Sequence, residues 1–362
     1  MVLAHDSTSD AIAAEVVLSL REAFPLVAVS GVTGPYLESL SVTSVASIDA
    51  FKGPFYFLKK KFLYKKIVSY LEENSIKVLF LVGQSPLSQQ VAKFCQKKKI
   101  PVYFMSPSPL CRLEDHKKDW VKFVCQKAFS FIAGCEGSGF GVKDYAKVLG
   151  FPFYARFSKI KIDPSHLGFS KDQKIITMIL PSGRKSALKA LKRFKSLAPQ
   201  ISKSNPDAVF VASYEGGDYH QDLLNEAKAG EGQVEVFKNM VLECLAISQV
   251  AITYNELDSL KASMLSRPHI LFEGEVKDAY AFYRKDQKDM IPRFKEQEAS
   301  LEEVSAKLNS LFLLESMERA KMLSSFSSIT KNLLPMDHGM LIDQVAEHLV
   351  RKGLSRRNRS QR

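Results

Sequence analysis

This chain of 362 residues contains one tryptophan, five cysteines and no long uncharged apolar run, and each shortage excludes something. The cysteines (Cys95, Cys111, Cys125, Cys135 and Cys244) are odd in number and form no C-x-x-C pair, so neither a disulfide framework nor a zinc site is expected, and a reducing cytoplasm fits best. The longest apolar stretches, such as Val78 to Gly83, are strand-sized and fall short of the roughly 18 residues a membrane span needs. The start, Met1-Val2-Leu3-Ala4-His5-Asp6, lacks the charged opening and apolar core of a signal peptide, so secretion is not expected. Its first strand-like run, Met1 to Ala4, is shorter than the typical five or six residues or so, which leads to the expectation that the natural start lies upstream. The glycine-rich Gly134 to Gly141 does not complete G-x-G-x-x-G and reads as a loop; no cofactor is expected.

What is present is enough apolar content, 46%, for two domains with separate cores. Lys and Arg number 51 against 39 Asp and Glu, a formal charge of +12, which favours an anionic partner. The basic stretches Lys185 to Arg193 and Arg356 to Arg362 come without a base-reading motif, so nucleic acid is not the expected partner.

Short β-branched runs alternate with helical patterns, the signature of parallel βαβ units. In the first half Val27 to Gly31, Val78 to Val82, Val102 to Met105 and Phe129 to Ala133 read as strands, with helices at Ala11 to Phe24, Tyr56 to Asn74 and Ser88 to Lys99. The series restarts with strands at Lys174 to Leu180, Ala208 to Ala212, Val234 to Phe237, Val250 to Thr253 and His269 to Phe272, and helices at Ser186 to Ser202 and Leu257 to Ser266. Pro152, Pro164 and Gly168 interrupt the periodicity between Gly150 and Asp172. The expected division is a first domain over 1–160, a second over 172–300, C-terminal helices over 301–352 (Leu301 to Arg319, then Met340 to Arg351) and a basic tail over 353–362. The fold class is therefore α/β, two Rossmann-like doubly wound domains.

The order of segments resembles the lipid A disaccharide synthase family over nearly the whole chain. Ala4-His5-Asp6-Ser7-Thr8-Ser9-Asp10 is similar to the family's Gly-Glu-x-Ser-Gly-Asp turn with both glycines replaced. Gln84-Ser85-Pro86-Leu87-Ser88 and Phe104-Met105-Ser106-Pro107-Ser108 match its Asp-Ala-Pro-Asp-Phe and Tyr-Val-Ser-Pro-Ser. Leu180-Pro181-Ser182-Gly183-Arg184 resembles Leu-Pro-Gly-Ser-Arg, and Asn255 to Lys261, ending at Arg267-Pro268, takes the place of Ser-Gly-Thr-x-x-Leu-Glu. The resemblance implies a GT-B fold, two Rossmann-like domains facing a cleft, and transfer of an acylated glucosamine from UDP to an acylated glucosamine phosphate in lipopolysaccharide biosynthesis. It further implies a UDP-sugar and a glycolipid precursor as partners, a homodimer exchanging C-terminal helices, and a peripheral place on the inner-membrane face of a Gram-negative bacterium.

Where the chemistry would sit, the residues mostly differ. Gln84 stands at the position of a candidate catalytic aspartate, and a glutamine cannot act as a base. Lys261 replaces a glutamate that would accept ribose hydroxyls, and an ammonium has no acceptor. The phosphate-binding candidates are Ser182, Gly183 and Arg184, with Asn255 at the second loop, since a helix N-terminus and an arginine suit phosphate; the alternative for the first three is an ordinary strand-to-helix turn. Ser7, Thr8, Ser9 and Ser106 are acceptor-cleft candidates. Asp10, with Asp6, reads as a cap of the first helix or, for Asp10, as a catalytic candidate. His5 is a weaker candidate base. Phe55, Phe57, Lys59, Lys60, Lys61 and Phe62 interleave aromatics with lysines as an interfacial membrane helix does; the alternative is a core-packed helix with a solvated face. Two functional expectations follow: an active synthase-like transferase, or a catalytically inactive relative that binds lipid or nucleotide in envelope biogenesis.

Overall fold

The computed structural model describes residues 1–48, 56–83, 85–106, 124–125, 127–130, 146–230, 232–273, 289–331 and 333–350. The chain divides into two compact units, Met1–Ala155 with Asn332–Arg362, and Arg156–Lys331.

The first unit carries a seven-stranded sheet with β1 (Val2–Leu3), β2 (Ser30–Thr33), β3 (Thr43–Ser47), β4 (Leu79–Val82), β5 (Val102–Ser106), β6 (Lys127–Ser130) and β7 (Ala146–Val148). Every pairing is parallel and the order is β3-β2-β1-β4-β5-β6-β7. The order reverses at β1, so the crevice beyond the ends of β1 and β4 is where an open α/β sheet receives ligands. Helix α1 (Ser7–Ala23) presents Ile12, Ala13, Val16, Val17 and Leu20, all buried, to this sheet, the 3.6-residue apolar spacing expected of a helix seated on a core. Helices α2 (Pro35–Ser39), α3 (Tyr56–Glu73) and α4 (Pro86–Lys97) connect the strands from β2 to β5.

The second unit repeats the plan. Strands β8 (Lys174–Ile179), β9 (Ala208–Tyr214), β10 (Glu235–Lys238), β11 (Val250–Thr253), β12 (His269–Glu273) and β13 (Arg293–Lys295) form a parallel sheet in the order β10-β9-β8-β11-β12-β13. Its reversal lies at β8 and β11. After a short helix α5 (Tyr154–Lys159) that spans the boundary between the units, the helices joining β8 to β12 are α6 (Arg184–Ser204), α7 (His220–Lys228), α8 (Val241–Ile247) and α9 (Glu256–Met264).

Two differences from the sequence reading have clear causes. The strand read at Val27 to Gly31 pairs only from Ser30, because the chain turns after Phe24 (Val27 N–H to the Phe24 carbonyl) and Val2 finds its partner at Gly31. The helix read as Leu301 to Arg319 is two helices, α10 (Leu301–Phe312) and α11 (Met317–Thr330), because Ser316 caps a new helix by accepting from Arg319 N–H. The terminal helices also part company: α10 and α11 belong to the second unit, while α12 (His338–Val350) belongs to the first. There it is held by a Ser19 hydroxyl to His338 Nδ1 contact of 2.7 Å and by the Tyr103 hydroxyl donating to the Gln344 carbonyl, also 2.7 Å. Among the described residues no helix is long and apolar enough to cross a membrane.

Candidate functional site

At the first sheet's carboxyl edge, β1 runs straight into α1. Asp6 is the N-cap: its carboxylate accepts the Ser9 N–H at 2.7 Å, and the Ser9 hydroxyl returns to accept the His5 and Asp6 N–H groups at 3.0 Å each. This reciprocal capping satisfies donors that a helix start otherwise leaves open. Ser9, an acceptor-cleft candidate, is thus buried and occupied, while Ser7 and Thr8 are half-buried in the same turn.

Asp10 does not cap its own helix. It is fully buried, and its two carboxyl oxygens accept the Gly34 and Tyr36 N–H groups at 2.8 Å each. It serves as the missing side-chain cap of α2, whose own N-cap is Gly34. A Cβ at Gly34 would lie 2.7 Å from Asp10 Oδ2 and 2.4 Å from Ile48 Cδ1, so the glycine is the condition for this approach. Burial pushes the Asp10 carboxyl up to about 6, opposed by the backbone hydrogen bonds from Gly34, Tyr36 and Leu37.

His5 stands at the reversal point beside β4. Its Nε2 lies 3.2 Å from Asp6 Oδ2, its ring is hydrogen-bonded to the Val82 backbone, and burial lowers its pKa despite the Asp6 charge. Gln84 lies outside the described residues, as do Phe55 and the side chains of Phe57 and Ser106. Ser85 caps α4, accepting the Ser88 N–H at 3.0 Å. On α3, Leu63, Ile67 and Leu71 face the core, while Lys59 and Lys61 are exposed, Lys60 is half-buried and Phe62 is 72% exposed.

At the second edge three loops follow β9, β8 and β11. The loop after β8 ends at Gly183, with φ +99° and open space where a Cβ would stand; a non-glycine residue there would strain the backbone. Gly183 begins the 21-residue helix α6. Its N–H donates to the Tyr219 hydroxyl at 3.3 Å. Arg184 is exposed and grips Asp222 with two contacts, Nη2 to Oδ1 at 2.9 Å and Nε to Oδ2 at 2.8 Å. Ser182 is half-buried. At the loop after β11, Asn255 caps α9: Oδ1 accepts the Asp258 N–H at 2.8 Å and Nδ2 donates to Asp258 Oδ2 at 2.6 Å. Lys261, only 3% exposed, donates to the remaining Asp258 oxygen at 2.9 Å. Both polar atoms of Asn255 are therefore engaged within the helix start itself.

Sequence reasoning passed over the loop after β9. Tyr214, the last residue of that strand, is 1% exposed, its ring stacks on Tyr219 at 5.2 Å, and among the described residues its buried hydroxyl has no partner. The next residue, Glu215, is half-buried, and burial raises its carboxyl to about 7. The signal available was an acid placed at the end of an apolar run and before Gly216-Gly217. Among the described residues, no group of three His, Cys, Asp or Glu side chains is placed to hold a metal.

A family model described as lipid-A-disaccharide synthetase matches residues 1–273. A curated relative, lipid-A-disaccharide synthase 1 of Legionella pneumophila (strain Paris), is 23% identical over 291 residues, covering 74% of this chain and 72% of the relative. Among solved structures, the glycotransferase of kitacinnamycin aligns with TM-score 0.59 at 11% identity over 96% of this chain and 98% of that one. Acinetobacter baumannii MurG aligns with TM-score 0.53, also at 11% identity, over 96% and 99%. These likenesses show the GT-B fold.

Proposed function

Because the chain belongs to the lipid-A-disaccharide synthetase family, a glycosyltransferase family, we propose that it binds a UDP-linked sugar at the carboxyl edge of its second sheet and performs the transfer weakly or not at all. It then acts as a nucleotide- and lipid-binding relative of the synthases in glycolipid assembly. One observation carries this reading: the two acids of the first edge's opening loop are committed to the backbone, Asp6 to Ser9 and Asp10 to Gly34 and Tyr36, while position 84 is a glutamine. Removing a proton from an acceptor hydroxyl needs a positioned base, and these carboxylates already hold other hydrogens. At the second edge, by contrast, Arg184 is exposed and paired to a half-buried Asp222, an arrangement a diphosphate can exchange into.

The solvent-facing Phe62 among Lys59, Lys61, Lys65 and Lys66 on α3 supports a peripheral association with anionic lipid, the aromatic entering the headgroup boundary and the lysines meeting its charge. One observation favours a second reading. His5 sits at the reversal point with an imidazole whose pKa burial lowers, which suits a base of an active transferase.

Calorimetric titration with UDP-N-acetylglucosamine separates these from failure: saturable binding is expected, and its absence contradicts the proposal. A transfer assay with an acylated UDP-glucosamine and an acylated glucosamine phosphate then divides the two readings. Turnover abolished by His5→Asn selects the active form; turnover that appears only in Gln84→Asp selects the weak one.

A further inference from the structure

Three loops meet the second sheet's carboxyl edge, and two of the carboxylates there are taken. Asp258 gives one oxygen to Lys261 and the other to Asn255, and Asp222 gives both to Arg184. Glu215 is different. It is half-buried at the mouth of β9, next to the reversal strand β8, and among the described residues its carboxyl has no hydrogen-bond or ion-pair partner. It lies within electrostatic reach of groups from three other elements: Lys261 and Asp258 on α9, Arg156 on α5 and Glu243 on α8. The two cations favour its charged form and the two anions oppose it.

An acceptor with no partner at the mouth of an open α/β sheet, beside an ammonium that offsets its charge, suits a ligand that donates hydrogen bonds. We infer that Glu215 is a ligand-contacting residue of this edge, its carboxylate accepting hydrogen bonds from hydroxyl groups of a nucleotide's ribose or of the sugar it carries. This rests on the nucleotide-sugar reading above and adds to it the residue that recognises the sugar hydroxyls. Lys261 supports the role indirectly: buried and bound to Asp258, it holds a positive charge near the Glu215 carboxylate without itself being available to the ligand. The Asp258–Lys261 pair also explains why Asp258 is not available to a ligand.

The contact is conditional on ionisation. Burial, with Asp258 and Glu243, brings the Glu215 carboxyl up to about 7 against the opposing pull of Lys261 and Arg156. A ligand hydroxyl is accepted best by the charged form, so ligand affinity rises with pH through neutrality.

The test is calorimetric titration of the full chain and of Glu215→Gln, which keeps the shape and removes the charge. The probes are UDP, 2′,3′-dideoxy-UDP, UDP-N-acetylglucosamine and inorganic pyrophosphate. The expected result is a loss of about tenfold in the variant's affinity for UDP, the usual scale of a hydrogen bond to a charged group, with pyrophosphate and dideoxy-UDP unchanged. A loss seen only with UDP-N-acetylglucosamine also supports the assignment and moves the contact to the transferred sugar. For the wild type, affinity for UDP-N-acetylglucosamine, whose diphosphate carries no group titrating near neutrality, falls between about pH 8 and about pH 6, and the variant shows no such fall. Equal affinity of wild type and variant for both hydroxyl-bearing ligands overturns the assignment alone. A wild type that binds none of the nucleotides overturns the nucleotide-sugar reading and the assignment with it.

Discussion

The two sheets share one plan, parallel strands with a reversal beside the first strand, yet their carboxyl edges use polar residues in opposite ways. At the first edge Asp6, Ser9 and Asp10 hydrogen-bond to the chain itself and fix α1 and α2. At the second, one buried pair fixes α9, while Arg184 is exposed and Glu215 has no hydrogen-bond or ion-pair partner among the described residues. The turn from Asp6 to Asp10 holds no glycine, and its side chains cap helices.

The comparison can be broken by exchanging the roles. Lys261→Glu places a third acid beside Asp258 and Glu215 and removes the ammonium that a buried carboxylate holds. A loss of about 3–5 kcal/mol is expected, read by urea unfolding; a neutral result shows that the pair does not hold α9. Asp10→Ala orphans the Gly34 and Tyr36 N–H groups, with an expected cost of about 4 kcal/mol from two buried donors and no change in UDP affinity. Undiminished stability would return Asp10 to the list of groups available for chemistry.

His269 sharpens the contrast through pH. Burial lowers its pKa to about 4, with Ser259 at 2.6 Å on Nε2 and the Arg267 carbonyl at 2.8 Å on Nδ1. The unfolded chain takes up its proton near 6.5, so the native state binds fewer protons between those values. Stability is full above about 6.5 and falls as pH drops toward 4, by about 1.4 kcal/mol per pH unit. His269→Gln should flatten that slope. Asp10 has the opposite sign: with its folded value raised to about 6, its contribution is present in acid and is lost as pH rises from its ordinary value through about 6.

A smaller effect is expected for Arg184→Ala, about tenfold in pyrophosphate or UDP affinity, with stability changed by less than about 0.5 kcal/mol because its ion pair is exposed. If affinity rises instead, Asp222 is merely held by Arg184 and the phosphate lies elsewhere.

Much of the architecture was legible because apolar runs of strand length alternate with amphipathic helices, and the family's segment order is kept. The partner of Asp10 was not: Gly34 is 24 positions away, and nothing local in Ser7-Thr8-Ser9-Asp10 distinguishes a cap of this helix from a cap of the next. Asn255 was legible as a helix start but not as one closed by Asp258. Glu215 lay in a segment with no motif, and only the folding of β9 beside β8 gives it meaning.

The proposed function places ligand binding at the second edge and not at the first. Hydrogen–deuterium exchange of the full chain with and without saturating UDP-N-acetylglucosamine tests it most directly. The account predicts protection in peptides covering Leu180 to Arg184, Tyr214 to Asp222 and Tyr254 to Lys261, with Ala4 to Asp10 unchanged. Protection of Ala4 to Asp10 with the second-edge loops unaffected would contradict it.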